Sequence, residues 1–228
     1  MAAAAPVRLA DYTAWAFQLS TIQLNVDVQD TFVLVKARME LEPRSVNQPL
    51  ALRGVELELL NVAIDGRDLP TSDYRCSDGW LTIDQPPEHA FVLETCCRID
   101  PYNNSSLEGL YASGGMLSTQ CEAEGFRRIT FHPDRPDVLS RWTVRIEAAR
   151  SSCPVLLSNG NAIAEEELAD GRHAVTWEDP FPKPSYLFAL VAGELREIRD
   201  QFTTASGRTV TLRLHVEEGD EPYTAHAM

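Results

Sequence analysis

Between Tyr102 and Ile129 runs a long polar stretch whose second half carries Thr119-Gln120-Cys121-Glu122-Ala123-Glu124-Gly125-Phe126-Arg127. If residues 117–124 are extended, side chains alternate between faces: Gln120, Glu122 and Glu124 share one, Cys121 and Ala123 the other. An amide and a carboxylate pointing the same way could receive an ammonium group. The contact would be charge-assisted, and its strength would rise where protein walls exclude water. The plainer alternative makes Glu122 and Glu124 the solvated face of an ordinary strand, since unpaired carboxylates mostly stay exposed. Cys121, on the opposite face, is expected inside the packing as an unreactive thiol.

Other chemistry is harder to compose. The five histidines (His89, His132, His173, His215, His226) show no His-Glu-x-x-His spacing, so no zinc site can be written from them. No Gly-rich phosphate loop, Gly-x-Ser-x-Gly elbow or convincing Cys/His nucleophile pair appears. His132 reads as a satisfied loop histidine, and Trp80, Trp142 and Trp177, set among alternating apolar residues, as core rather than as a sugar platform. Five cysteines without a Cys-x-x-Cys motif read as reduced, mostly buried thiols. Lys and Arg number 20 against 34 Asp and Glu, a formal charge of −14. That excess disfavours nucleic acid and anionic membrane surfaces, which need clustered positive charge. No apolar run approaches the roughly 20 residues that cross a bilayer. The first residues, Met1 to Arg8, lack a basic leader and a sustained apolar stretch, so a cytoplasmic location is the expectation.

The elements that must position these residues are strands. Ile22, Leu24, Val26 and Val28 alternate, then Val33, Val35, Ala37, Met39 and Leu41, which predicts a hairpin. Further strands are expected near 50–64, 67–70, 80–84 and 90–99, with Asp65-Gly66 and Asp78-Gly79 as positive-φ turns. Alternation returns at Trp142 to Ala148 and at His173 to Trp177. A short helical turn is expected at 133–141, capped by Asp134, with Val138 and Leu139 packing inward. Asp179-Pro180-Phe181-Pro182-Lys183-Pro184 reads as a stiff connection into an apolar strand over 186–193. The sum is an all-β protein, a sandwich of packed, mostly antiparallel sheets.

The segment Thr119 to Arg127, with Leu107-Glu108-Gly109-Leu110-Tyr111 before it and Asp134-Arg135-Pro136-Asp137-Val138-Leu139 after it, resembles the amino-terminal domain of bacterial zinc aminopeptidases of the aminopeptidase N type. The resemblance continues through Leu156-Leu157-Ser158-Asn159-Gly160-Asn161 and Asp179 to Gly193, and so covers nearly the whole chain. It implies a saddle-like β domain over 1–193, packed against a thermolysin-like catalytic domain whose first strands are 194–228. In that family the glutamate of Gln-Cys-Glu helps hold the free α-amino group of a peptide, and the glutamine lines the pocket for its first side chain. Those roles fall on Glu122 and Gln120; Glu124 keeps the solvated-strand reading.

The family's Gly-Ala-Met-Glu-Asn segment, its His-Glu-x-x-His zinc helix with a later glutamate ligand, and its tyrosine have no counterpart here. The resemblance therefore implies zinc in a full-length enzyme and none held by these residues. The implied partners are peptides with a free amino terminus and the catalytic domain of the same polypeptide. Two alternatives stand beside it: a free-standing β-sandwich module that binds peptides or carbohydrates, and an interaction protein that kept the fold alone.

Overall fold

The computed structural model describes residues 8–227, so Met1 to Val7, on which the leader expectation rested, lie outside it. Among the described residues, seventeen strands make up about half of the structure. In order they are β1 (Phe17–Val28), β2 (Val33–Pro43), β3 (Leu50–Arg53), β4 (Glu58–Ile64), β5 (Arg67–Asp68), β6 (Arg75–Ser77), β7 (Trp80–Ile83) and β8 (Phe91–Ile99). The second half adds β9 (Gly109–Ser113), β10 (Met116–Gln120), β11 (Ser140–Ala149), β12 (Val155–Ser158), β13 (Asn161–Glu167) and β14 (Arg172–Lys183). It ends with β15 (Leu190–Gly193), β16 (Arg196–Thr203) and β17 (Thr209–Val216).

Eight strands form one large sheet in the order β13-β14-β11-β1-β2-β8-β4-β5. A four-stranded sheet (β12-β15-β10-β9) and a three-stranded sheet (β3-β7-β6) share one apolar core with it. Ile22, Leu24 and Val26 from the large sheet, Leu52 and Leu81 from the small one, and Leu117, Leu190 and Ala192 from the middle one are all buried in that core. The expected β1–β2 hairpin is present, from Phe17↔Pro43 to Val28↔Val33. A bulge between Leu19 and Thr21 shifts the buried parity from odd positions (Phe17, Leu19) to the even ones read from sequence. Pairing is antiparallel almost throughout, but β1 and β11 run parallel, Thr21 opposite Arg141 through Asp27 opposite Glu147. Asp65-Gly66 and Asp78-Gly79 take positive φ as expected, 51° and 73°, then 52° and 76°.

Several expectations are corrected. The strand expected over 50–64 is two, β3 and β4, and β5 covers only Arg67–Asp68. The helical turn at 133–141 is absent: Asp134 takes φ 49° and turns inward, Val138 is buried and Leu139 is exposed. Asp134 instead binds Arg127, which satisfies its oxygens better than a helix end would. The proline-rich stretch is strand, since β14 runs to Lys183. Prolines are tolerated there because β13 stops at Asn161↔Glu178, and the ladder with β11 is irregular between Trp142↔Asp179 and Ser140↔Lys183. The strand expected over 186–193 begins only at Leu190, after a 3-10 turn over Ser185–Leu187. Trp142 is core, but Trp80 is 44% exposed, with the Arg53 guanidinium 4.9 Å from its ring.

Candidate functional site

The stretch from which an amine site is expected is not one strand. β10 ends at Gln120, and 122–125 form a turn that leads into a 3-10 turn over Phe126–Arg128. The shared face expected for Gln120, Glu122 and Glu124 therefore does not exist as a strand face. The cause is Gly125. A Cβ placed there would lie 2.4 Å from the Gln120 carbonyl oxygen and 3.1 Å from the Gly109 nitrogen, so the chain doubles back where only glycine fits. The Gly125 N–H closes the turn on the Cys121 carbonyl at 2.9 Å.

Gln120 and Glu122 are still brought together. The Gln120 Nε2 donates to the Glu122 carbonyl at 3.1 Å, and both side chains are exposed. Among the described residues the Glu122 carboxylate has neither a hydrogen bond nor an ion pair. Glu124 behaves as an ordinary surface acid, 3.1 Å from Arg127. Cys121 is buried, and burial pushes its thiol up to about 12, so it is inert as expected.

The turn is held from below. Arg127 donates its backbone N–H (3.1 Å) and its Nε (2.7 Å) to Oδ2 of Asp134, whose side chain is fully buried. The Val55 N–H reaches the Arg127 carbonyl at 2.9 Å, and Arg53 and His132 exchange backbone bonds of 2.8 and 3.1 Å. Phe126 sits edge-on between Trp142 (5.1 Å) and Phe188 (5.2 Å). On the β10 side, Thr119 Oγ1 accepts from the Leu190 N–H at 2.8 Å. Between the buried Cys121 and Gly125, Glu122, Ala123 and Glu124 are exposed, three residues strung between two fixed points. Sequence reasoning missed Asp134 and Arg127, because no periodicity links residues seven apart across an irregular loop.

Among the described residues Glu122 is exposed. A concavity of about 550 Å³ lies elsewhere, on the open face of the large sheet, lined by Asn25, Lys36, Arg38, Asn61 and Cys96 among others. Nor do these residues suit zinc: among the described residues no three His, Cys, Asp or Glu side chains converge as ligands. Cys97 and Cys121 are buried thiols, both pushed up to about 12 by burial. Among the described residues no helix is long and apolar enough to cross a membrane.

Residues 21–187 match the peptidase M1 N-terminal domain. The chain belongs to that family. The M1 amino-terminal domain described here is 51% identical over 97% of its length to aminopeptidase N of Caulobacter vibrioides, and 47% identical over 92% to that of Escherichia coli. It spans about a quarter of those relatives, 26% and 24%. Among solved structures it overlays Legionella pneumophila aminopeptidase A, in complex with aspartic acid, with a TM-score of 0.92 at 33% identity, covering 97% of this chain and 26% of that one. An M1 zinc metallopeptidase from Deinococcus radiodurans shares the fold at TM-score 0.74 and 16% identity, over 92% of this chain and 52% of that one. The all-β M1 fold expected from the sequence is thus the fold observed.

Proposed function

We propose that this M1 amino-terminal domain is the recognition and scaffold part of a zinc aminopeptidase that removes amino-terminal residues from peptides. In this reading the Glu122 carboxylate receives the free α-ammonium group and Gln120 lines the pocket for the first side chain. Zinc is the cofactor of the full polypeptide, held by a catalytic domain whose first strands are 194–228. The observation that carries the reading is the state of Glu122, an exposed carboxylate with no partner among the described residues on a turn fixed at both ends. Orienting such a group in advance spares its ordering cost on binding, and a second wall would remove the water that weakens it.

Placing the ammonium group decides which carbonyl is presented for cleavage, so Glu122 supplies specificity and not bond breaking. In the full-length polypeptide, Glu122→Ala should raise KM for aminoacyl substrates by about 10- to 100-fold, the equivalent of roughly 1.4 to 2.8 kcal/mol. Steady-state kinetics on aminoacyl-anilides check this, and unchanged kinetics would remove Glu122 from the site. The sequence-based expectation of a cytoplasmic setting belongs to the same proposal.

A further inference from the structure

The Asp134 carboxylate bonds Arg127, at the end of the exposed turn, and Ser185, which precedes the strand paired to β10. Oδ2 accepts from the backbone N–H and Nε of Arg127, at 3.1 and 2.7 Å, and Oδ1 accepts from Ser185 Oγ at 2.8 Å. Its backbone N–H donates to His132 Nδ1 at 2.9 Å, and its carbonyl accepts from Arg127 Nη2 at 3.5 Å. Arg127 is the far end of the turn that begins at Gln120. Ser185 opens the segment leading into β15, the strand paired to β10. One buried carboxylate thus ties the end of the turn to the element that supports its start. Its contacts with a guanidinium are charge-assisted and sheltered from water, which makes them stiff compared with the exposed Glu124–Arg127 pair.

We infer that Asp134, acting through Arg127, is a positioning residue that fixes where the Glu122 carboxylate points. The inference rests on the reading of Glu122 given above. Asp134 touches no substrate, so its removal should alter how well the amine is held and leave the rate of the bound complex nearly intact. It also predicts dependence on Glu122: without that carboxylate there is nothing left for Asp134 to orient.

The test is a double-mutant cycle in the full-length polypeptide, read as KM and kcat on an aminoacyl-anilide. Asp134→Asn keeps the shape and loses the charge, and should raise KM about tenfold with kcat changed less than about twofold. In the Glu122→Ala background the same substitution should change KM by less than about twofold, because coupled residues are non-additive. An equal KM effect in both backgrounds would show a merely structural role and overturn the inference. A flat Asp134→Asn beside an impaired Glu122→Ala overturns the positioning role alone, whereas a flat Glu122→Ala overturns both readings. If Asp134→Asn does not fold, Ser185→Ala and Arg127→Lys each disturb one contact. They should give smaller rises in KM that again vanish with Glu122→Ala, and unchanged KM in both overturns the inference.

Discussion

His132 shows how burial sets the chemistry of a single side chain. It is fully buried, 4.9 Å from the Phe126 ring and 5.9 Å from that of Trp142, and its Nδ1 accepts from the Asp134 N–H. The proton is therefore assigned to Nε2, which has no partner among the described residues, so the satisfied loop histidine expected from the sequence is only half satisfied. Burial pushes its pKa down to about 4, with Asp134 opposing the fall. An unfolded histidine titrates near 6.5, so between about 6.5 and 4 the unfolded chain binds the extra proton. The stability from the neutral imidazole is complete above pH 6.5 and drains away as the pH falls towards 4, by about 3 kcal/mol. Urea unfolding from pH 7 to 4 should show a shallower decline for His132→Gln than for the parent chain. Equal declines would mean that His132 does not titrate in this window.

At the scale of elements, the β16–β17 hairpin stands apart, because its two strands pair only with each other. Phe202 is more than half exposed, and the ion pairs of Glu197 with Arg199 and Arg213 stay within the hairpin. If 194–228 belongs to the next domain, residues 1–193 alone should unfold within about 4 °C of the 228-residue chain, the equivalent of roughly 1 kcal/mol. Calorimetry decides it, and a fall of about 10 °C would place the hairpin inside this unit. The hairpin β1–β2 was legible in sequence because one buried face imposes period two on Ile22 to Leu41. The site turn was not, because Gln120-Cys121-Glu122 continues the alternation while Gly125 reverses the chain. Cys121 still points inward, so burial was readable where backbone direction was not. Gln120 and Glu122 were raised by alternation, and motif resemblance gave them their separate roles. Asp134 was hidden because its partners, Arg127 and Ser185, meet it only in three dimensions.

For the whole molecule, the position of the site at an open surface matters more than its internal detail. Among the described residues Glu122 is exposed and no cluster of metal ligands is found. The isolated 228-residue chain is therefore expected to hydrolyse no aminoacyl-anilide, with or without added zinc. Metal-dependent turnover by the purified chain, measured by release of the chromophore, would contradict that. The parallel pairing of β1 with β11 also bears on how the chain comes off the ribosome. Thr21 meets Arg141 in the finished sheet, and at roughly 5 to 20 residues per second about 6 to 24 s separate their synthesis. Through that interval the β1–β2 hairpin carries an open edge in the middle of the future sheet, with its apolar side chains awaiting cover. The nascent domain is thus a candidate client for holding chaperones until its eleventh strand emerges.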